Sequence, residues 1–158
     1  MNLENRKTIL RKIPNGLFIV TTKDGELGTG AAISFATQTS IEPLHITLAI
    51  CKNSNMYSVA VESEHLAVHF PSIDQQDMVA SFFKIKEREE KSINGYGFEW
   101  SELGNPILDD VPMYLEVKIV EIVDKGDHPL FICEVVNTVV REDTEVLTIP
   151  NTNWHYGG

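Results

Sequence analysis

The segment Cys51-Lys52-Asn53-Ser54 places a cation, an amide and a hydroxyl side by side, directly after an apolar stretch. Ser54 is a favourable N-cap for a helix that would run to Val61. The first N–H groups of a helix have no partner within it, and together with the helix dipole they favour negative charge. The segment therefore predicts either a phosphate site or an ordinary N-cap with Lys52 in solvent.

A second candidate for chemistry is His128, in the sequence Gly126-Asp127-His128-Pro129 between two long apolar stretches. A histidine at the mouth of a hairpin could donate to a substrate or carry a proton near neutral pH. The alternative is that His128 simply completes the turn.

Other patterns argue against several kinds of site. His65 and His69 fall in a predicted strand, where four residues span about 13 Å, which is too far for one shared ion. We therefore expect no metal site there. No G-x-G-x-x-G motif follows a strand, which disfavours a Rossmann dinucleotide site. We interpret Gly25, Gly28 and Gly30 as turn residues.

The composition narrows the choice of partners. The chain has 158 residues, enough for one domain, and a net charge of −10, which disfavours nucleic acid and membrane surfaces. Cys51 and Cys133 lie far apart in sequence and are expected to be reduced thiols. No stretch reaches the roughly twenty apolar residues of a membrane helix, and the N-terminus is too polar for a signal peptide. We expect a cytoplasmic protein.

The periodicity of apolar residues predicts mostly strands. Extended segments are expected at 13–22, 30–39, 44–51, 65–70, 113–123 and 130–141. One short helix should follow Ser54, and a second should follow the possible capping box Ser72–Gln75, with one apolar face formed by Met78, Val79, Phe82 and Phe83. The charged segment 84–91 should be a solvated helix end or a mobile flap, and 94–110 a loop.

Six strands and two short helices, without regular alternation, favour an antiparallel barrel over a doubly wound sheet. The last two strands are apolar on both faces for much of their length, and a partner subunit could supply the second cover. We expect a single domain over residues 1–158, with short flexible tails at both ends.

In combination, four segments resemble the flavin reductase-like family of FMN-binding split barrels, from about Ile13 to Ile149. The most specific segment is Gly126-Asp127-His128-Pro129-Leu130-Phe131, which is similar to the family's G-D-H-x-L-F motif. The other three are Ile13–Gly16 with Phe18–Thr22, Gly30–Ser34 with Ser40 and Pro43 downstream, and Leu66–Phe70.

The resemblance implies a six-stranded antiparallel split barrel of Greek-key type, forming a homodimer with one flavin per subunit. It favours FMN over FAD, with NAD(P)H as co-substrate. By position it assigns the isoalloxazine contacts to Ala32, Ile33, Ser34 and Phe35, and the phosphate to Lys52, Asn53 and Ser54. It assigns the ring or ribityl chain to His69, Phe70 and Phe83, and the nicotinamide to His128.

Three residues depart from the family pattern: Ala32 and Met56 stand where threonine is frequent, and His69 where asparagine is usual. Each change removes one hydrogen-bonding group, worth about 0.5–1.5 kcal/mol.

The leading hypothesis is an NAD(P)H:flavin oxidoreductase that passes electrons to a monooxygenase or another acceptor, with His128 as orienting group and proton donor. The alternatives are an FMN-holding electron carrier reduced by a protein partner and a flavin-free interaction module.

Overall fold

Strands make up most of the regular structure in the computed structural model, which describes residues 1–158. The strands are β1 (Phe18–Asp24), β2 (Leu27–Ile33), β3 (Ala36–Ser40), β4 (His45–Ala49), β5 (His65–Phe70), β6 (Arg88–Glu89), β7 (Ser92–Ile93), β8 (Tyr96–Trp100), β9 (Pro106–Leu108), β10 (Met113–Val123) and β11 (Leu130–Val140).

The helices are short, and none is long and apolar enough to cross a membrane. They are α1 (Leu3–Leu10), α2 (Asn55–Ala60), α3 (Gln76–Ser81) and a 3-10 turn at Ile149–Asn151. Ser54 caps α2 as predicted, because its side chain accepts a hydrogen bond from the N–H of Tyr57. Helix α1 occupies the N-terminal region for which the sequence predicted only a tail.

Seven antiparallel strands form the main sheet, in the order β2-β1-β5-β10-β11-β4-β3. The two edge strands, β2 and β3, are joined by only Ser34 and Phe35. So short a link brings the two edges together, so the sheet must curl, although no ladder of hydrogen bonds pairs β2 with β3. The predicted strand at 30–39 is interrupted at this link, which accounts for seven strands where the sequence predicted six.

The curled sheet encloses the larger of two apolar clusters. Its members come from strands all round the sheet and from α2, which covers one opening: they include Val20, Leu48, Met56, Leu66, Val117 and Phe131. All of these side chains are at most 1% exposed. Burial of this kind is the main stabilising contribution to such a fold.

A second, four-stranded sheet in the order β6-β7-β8-β9 packs beside the main one. The prediction of a loop at 94–110 was therefore wrong. Phe98 and Leu108 are buried against Ile19 and Phe82 in the second apolar cluster. Turn residues between short apolar runs concealed these strands, since Gly95 and Gly104 adopt φ values of 80° and 77°.

The charged segment 84–91 is not helical: it contains the two-residue strand β6 and then a turn. Arg88 forms an ion pair with Asp24, and Lys91 pairs with Glu99 at 3.3 Å. The capping box forms only in part: the N–H of Ser72 donates to the Gln75 side chain, but α3 begins at Gln76 and its N-cap has no side-chain hydrogen bond. Helix α3 ends at Ser81, so Phe83 lies beyond it and is 58% exposed.

Within this chain the long strands β10 and β11 are covered on one side only. Phe131 and Cys133 point into the core, while Val120, Val136 and Val140 are exposed.

A further contact fixes the small sheet: the buried Glu116 accepts hydrogen bonds from Ser101, Asn105 and Asn137. Burial would raise the pKa of Glu116, but these three donors outweigh it and lower the pKa.

Candidate active site

A cavity of about 540 Å3 opens beside the link between β2 and β3. Its volume lies in the range of small-molecule sites. Of its 18 lining residues 13 are hydrophobic. Apart from Leu17, which precedes β1, they come from β2 and the link to β3, the end of β4, the turn before α2, the end of α3, the β10–β11 turn and the C-terminal segment.

One wall is the end of β2 with its link to β3. Ala32, Ile33, Ser34 and Phe35 all line the cavity, so the structure brings together all four predicted ring contacts. The Ala32 N–H donates to the carbonyl of Phe82, which joins this wall to α3. Small side chains at Ala31 and Ala32 leave the backbone accessible to a flat ligand.

Ser34 supplies a test of whether a polar ligand fits. Its side chain is buried and lines the cavity, yet Oγ has no hydrogen-bond partner. Buried polar atoms usually have partners, because an unmade hydrogen bond costs about 1–3 kcal/mol. A ligand with a polar edge on an otherwise apolar ring would satisfy Ser34, and an isoalloxazine has such an edge.

The turn before α2 forms the opposite end of the cavity. Asn53 and Ser54 line it, and the N–H groups of Asn53, Asn55 and Met56 make no hydrogen bond within the chain. Ser54 Oγ is occupied, since it donates to the carbonyl of Cys51 at 2.7 Å and accepts from Tyr57. Free N–H groups beside an amide side chain suit an anion.

Lys52 does not line the cavity. Its Nζ lies 2.5 Å from Asp124 Oδ1, and the hydrogen bond to this carboxylate raises the pKa of Lys52. No lysine and no arginine lines the cavity. A phosphate group there would therefore depend on neutral donors unless Lys52 left Asp124.

His128 lies in the wall formed by the β10–β11 turn, as the sequence predicted. Its Nδ1 is 3.0 Å from Asp127 Oδ1, and its Nε2 is 2.6 Å from the Tyr156 hydroxyl. The hydrogen bond from His128 lowers the pKa of Asp127, and burial raises the pKa of Tyr156. At neutral pH the phenol thus keeps its proton, and Nδ1–H donates to the Asp127 carboxylate.

The C-terminal segment was missed as part of the site. Ile149, Trp154, His155 and Tyr156 line the cavity, and the Trp154 ring meets Phe83 edge-on with centroids 4.8 Å apart. The available signal was a run of three aromatic side chains, Trp154-His155-Tyr156, in a segment otherwise composed of small and polar residues. The link to β3 adds Phe35, whose ring lies 5.3 Å from that of Tyr156.

His69 and Phe70 do not lie at the cavity, contrary to the prediction. Strand β5 runs between β1 and β10 in the middle of the sheet, whereas the cavity lies at its edges. His69 is fully buried: its Nδ1 contacts the Ile19 carbonyl at 2.9 Å, and Nε2 accepts from the N–H of Leu108 at 3.1 Å. Phe70 lines a different cavity, of about 290 Å3.

Burial lowers the pKa of His69 to about 4, so the ring is neutral at pH 7 and carries its proton on Nδ1. The imidazole therefore joins β5 to β1 and to β9 of the small sheet. Both ring nitrogens are used in these contacts, and neither is available to a ligand.

The flavin reductase like domain family matches residues 10–156, and the chain belongs to this family. The chain is 26% identical over 148 residues to the NADH:FMN oxidoreductase of Rhodococcus qingshengii, covering 91% of this chain and 74% of that protein. It is 28% identical over 132 residues to diflavin flavoprotein A 2 of Nostoc sp., covering 83% of this chain. The chain spans only 23% of that longer relative.

Among solved structures, flavin reductase PheA2 in its native state superposes with a TM-score of 0.82. The match covers 100% of this chain and 99% of that one, at 22% identity. This likeness concerns the fold, which is mainly β with a few short helices.

Proposed function

We propose that the protein is an NAD(P)H:flavin oxidoreductase whose flavin binds in the 540 Å3 cavity. The observation that carries this proposal is the unpartnered Ser34 Oγ in an apolar cavity that also contains His128. Family membership and the named activity of the Rhodococcus relative support it. When bound, the flavin supplies the hydride-accepting centre, and the protein supplies binding and orientation.

The end of β2 would hold the ring. Ala32 and Ile33 offer backbone and an apolar surface, Ser34 offers its hydroxyl, and Phe35 closes one side. Phe83 and Trp154 form an aromatic wall beyond the end of α3, with their ring centroids 4.8 Å apart. An apolar enclosure excludes water, which protects a reduced product from side reactions.

The phosphate would bind at Asn53 and Ser54, beside the unbonded N–H groups of Asn53, Asn55 and Met56. A terminal phosphate favours FMN, and the Rhodococcus relative is named for FMN. FAD carries a further nucleotide beyond that phosphate, and its binding is the alternative that a titration would detect.

The nicotinamide nucleotide would bind over the ring beside His128. A hydride transfer needs donor and acceptor held close together, so a side chain that orients the nicotinamide contributes through positioning. His128 also has a proton within reach, through the Tyr156 hydroxyl at 2.6 Å. Reduced flavin, or its electrons, would pass to a monooxygenase or another acceptor.

We further propose a homodimer. The exposed apolar side chains of Val120, Val136 and Val140 on β10 and β11 support it, since a second subunit would cover them. A cytoplasmic location is consistent with the free thiols of Cys51 and Cys133. Sedimentation equilibrium would give twice the chain mass of 17.7 kDa for a homodimer and the single mass for a monomer.

The test of the proposed function is the absorbance of purified protein with FMN, before and after NADH or NADPH is added without oxygen. Loss of the oxidised flavin band, faster than with FMN alone, is the expected result. Tight FMN retention without nicotinamide turnover would instead favour an electron carrier, and failure to bind FMN would exclude both.

A matched pair of variants locates the flavin. Ala32→Trp fills the cavity and should weaken FMN binding by more than about tenfold, because overpacking leaves no room for the ring. Ala32→Thr adds one hydroxyl at the same position and should leave FMN affinity equal or higher by up to about tenfold. Equal affinity in the native protein and Ala32→Trp would place the flavin elsewhere.

A further inference from the structure

We propose that Tyr156 is a positioning residue, whose hydroxyl holds the imidazole of His128 in the cavity wall. This inference rests on the proposed function and extends it to the C-terminal segment. The observation behind it is the 2.6 Å contact between the Tyr156 hydroxyl and His128 Nε2, which is the shortest hydrogen bond made by either ring nitrogen.

Without Tyr156, little would restrain the ring of His128. Its other polar partner, Asp127, is the adjacent residue in the same turn, and its side chain is 91% exposed. A solvated carboxylate on a turn is a weak restraint, because water competes for it. Phe35 contacts the ring edge-on, with centroids 5.6 Å apart, and limits its position without fixing its rotation.

Tyr156 can fix His128 because Tyr156 is itself anchored. The Tyr156 ring packs against the Phe35 ring, with centroids 5.3 Å apart. The next residue, Gly157, also approaches the Phe35 ring, so closely that a Cβ on Gly157 would lie 3.2 Å from Phe35 Cζ. Gly157 has φ 77°, a conformation that favours glycine, so the close approach requires this residue type. Upstream, Trp154 is held against Phe83.

Few titratable groups lie near the pair formed by His128 and Tyr156. Asp127 accepts from Nδ1 on one side, and Cys51 and Asp127 both lie near the Tyr156 phenol. Between the Asp127 carboxylate at Nδ1 and the Tyr156 hydroxyl at Nε2, the imidazole is held in one orientation. The segment Trp154–Tyr156 therefore sets the direction in which His128 faces the cavity. Displacement of such a group by about 1 Å can reduce a rate roughly 100-fold.

A double-mutant cycle tests the positioning role. Tyr156→Phe removes the hydroxyl and retains the ring, and it should lower kcat/KM for the preferred nicotinamide nucleotide about three- to tenfold. In a His128→Ala background the same substitution should change kcat/KM by less than about 1.5-fold, because the group that Tyr156 positions is gone. FMN affinity should fall less than kcat/KM in Tyr156→Phe, because the ring that lines the cavity is retained.

The matched control is Tyr114→Phe. Tyr114 lies outside the cavity and packs against Arg141 and His69, and its hydroxyl makes no hydrogen bond. The Tyr114→Phe variant should leave kcat/KM unchanged. Equal fold-losses for Tyr156→Phe in the native and His128→Ala backgrounds would mean that Tyr156 acts independently of His128, and would overturn the proposal.

A second readout needs neither flavin nor turnover. In a long-range 1H–15N spectrum of the protein alone, Tyr156→Phe should shift the Nε2 resonance of His128, whereas Tyr114→Phe should not. An unchanged His128 resonance in Tyr156→Phe would refute the contact itself. If the native protein oxidised no nicotinamide nucleotide while the resonance shifted, the proposed function would fail and the His128–Tyr156 contact would stand.

Discussion

Two histidines of this chain, His69 in the middle of the main sheet and His128 on the turn between β10 and β11, have opposite surroundings. His69 is fully buried, and its two hydrogen-bond partners are backbone groups of Ile19 and Leu108. His128 is partly exposed, and its partners are side chains, from Asp127 and Tyr156. His69 was predicted to line the flavin ring or its ribityl chain and His128 to face the nicotinamide, and only His128 lies at the cavity.

The difference shows how hydrogen-bond partners separate structural from functional roles. Backbone partners in a sheet cannot move without loss of the fold, so His69 is part of the scaffold. Side-chain partners on a turn and on a terminal segment hold His128 outside the sheet, where its ring can meet a ligand. Site residues are often found on such segments, positioned by a rigid scaffold.

The largest effect should follow from His69→Leu. It removes both ring nitrogens and leaves the Ile19 carbonyl and the Leu108 N–H buried without partners. We expect a loss of about 2–5 kcal/mol in the free energy of unfolding at pH 7, measured in urea. FMN affinity of the folded fraction should change by less than about threefold. Lost FMN affinity at full stability would mean that His69 belongs to the site after all.

Acid should weaken the scaffold through the same residue. Between pH 6.5 and about 4, His69 binds a proton in the unfolded chain but not in the folded protein, because burial lowers its pKa to about 4. The free energy of unfolding therefore falls as pH falls through this window, by about 3 kcal/mol from this group. His69→Gln cannot titrate and should show a correspondingly smaller decrease in urea unfolding at pH 7, 6, 5 and 4. Identical slopes in the two proteins would contradict the assignment.

His128→Leu should give the opposite result to His69→Leu. Stability should change by at most about 1 kcal/mol, because His128 is partly exposed and its partners can turn to water. NAD(P)H oxidation should fall by roughly 100-fold, as expected when a positioned acid–base group is lost. Steady-state kinetics and urea unfolding on the same samples check both parts. Full activity in this variant would remove His128 from the mechanism.

The smallest effect should come from Lys52→Ala. Because Lys52 is paired with Asp124 and does not line the cavity, FMN affinity should change by less than about threefold. Asp124→Ala is the informative counterpart, since it frees Lys52. Tighter FMN binding in Asp124→Ala that Lys52→Ala abolishes would show that Lys52 can reach the phosphate.

Regular alternation allowed much of the main sheet to be predicted. Strands β5 and β10 have the predicted bounds, and β11 differs by one residue, because long apolar alternation leaves little choice of register. The small sheet was missed, since β6, β7 and β9 have only two or three residues and show no period. Their strand conformation depends on packing against the main sheet, as with Phe98 beneath β2.

The site was predictable where a motif coincides with a bend in the chain. His128 and the segment Ala32–Phe35 were found because turn residues and a family motif mark them. Tyr156 was not, because its role depends on contact with a turn 28 residues away. Lys52 lies between Cys51 and Asn53, which line the cavity, but Lys52 itself does not. No local sequence pattern reveals that its side chain forms an ion pair with Asp124 instead.

The two-residue link Ser34–Phe35 has a consequence for stability. It joins the two edge strands where no ladder pairs them, and the cavity lies beside this seam, with Ala32 of β2 on one side and Ala49 of β4 on the other. A molecule bound there would contact both β2 and β4, which no ladder of hydrogen bonds joins directly. Ligand occupancy should thus raise the melting temperature and slow proteolysis near the seam, in proportion to the logarithm of free ligand above its dissociation constant.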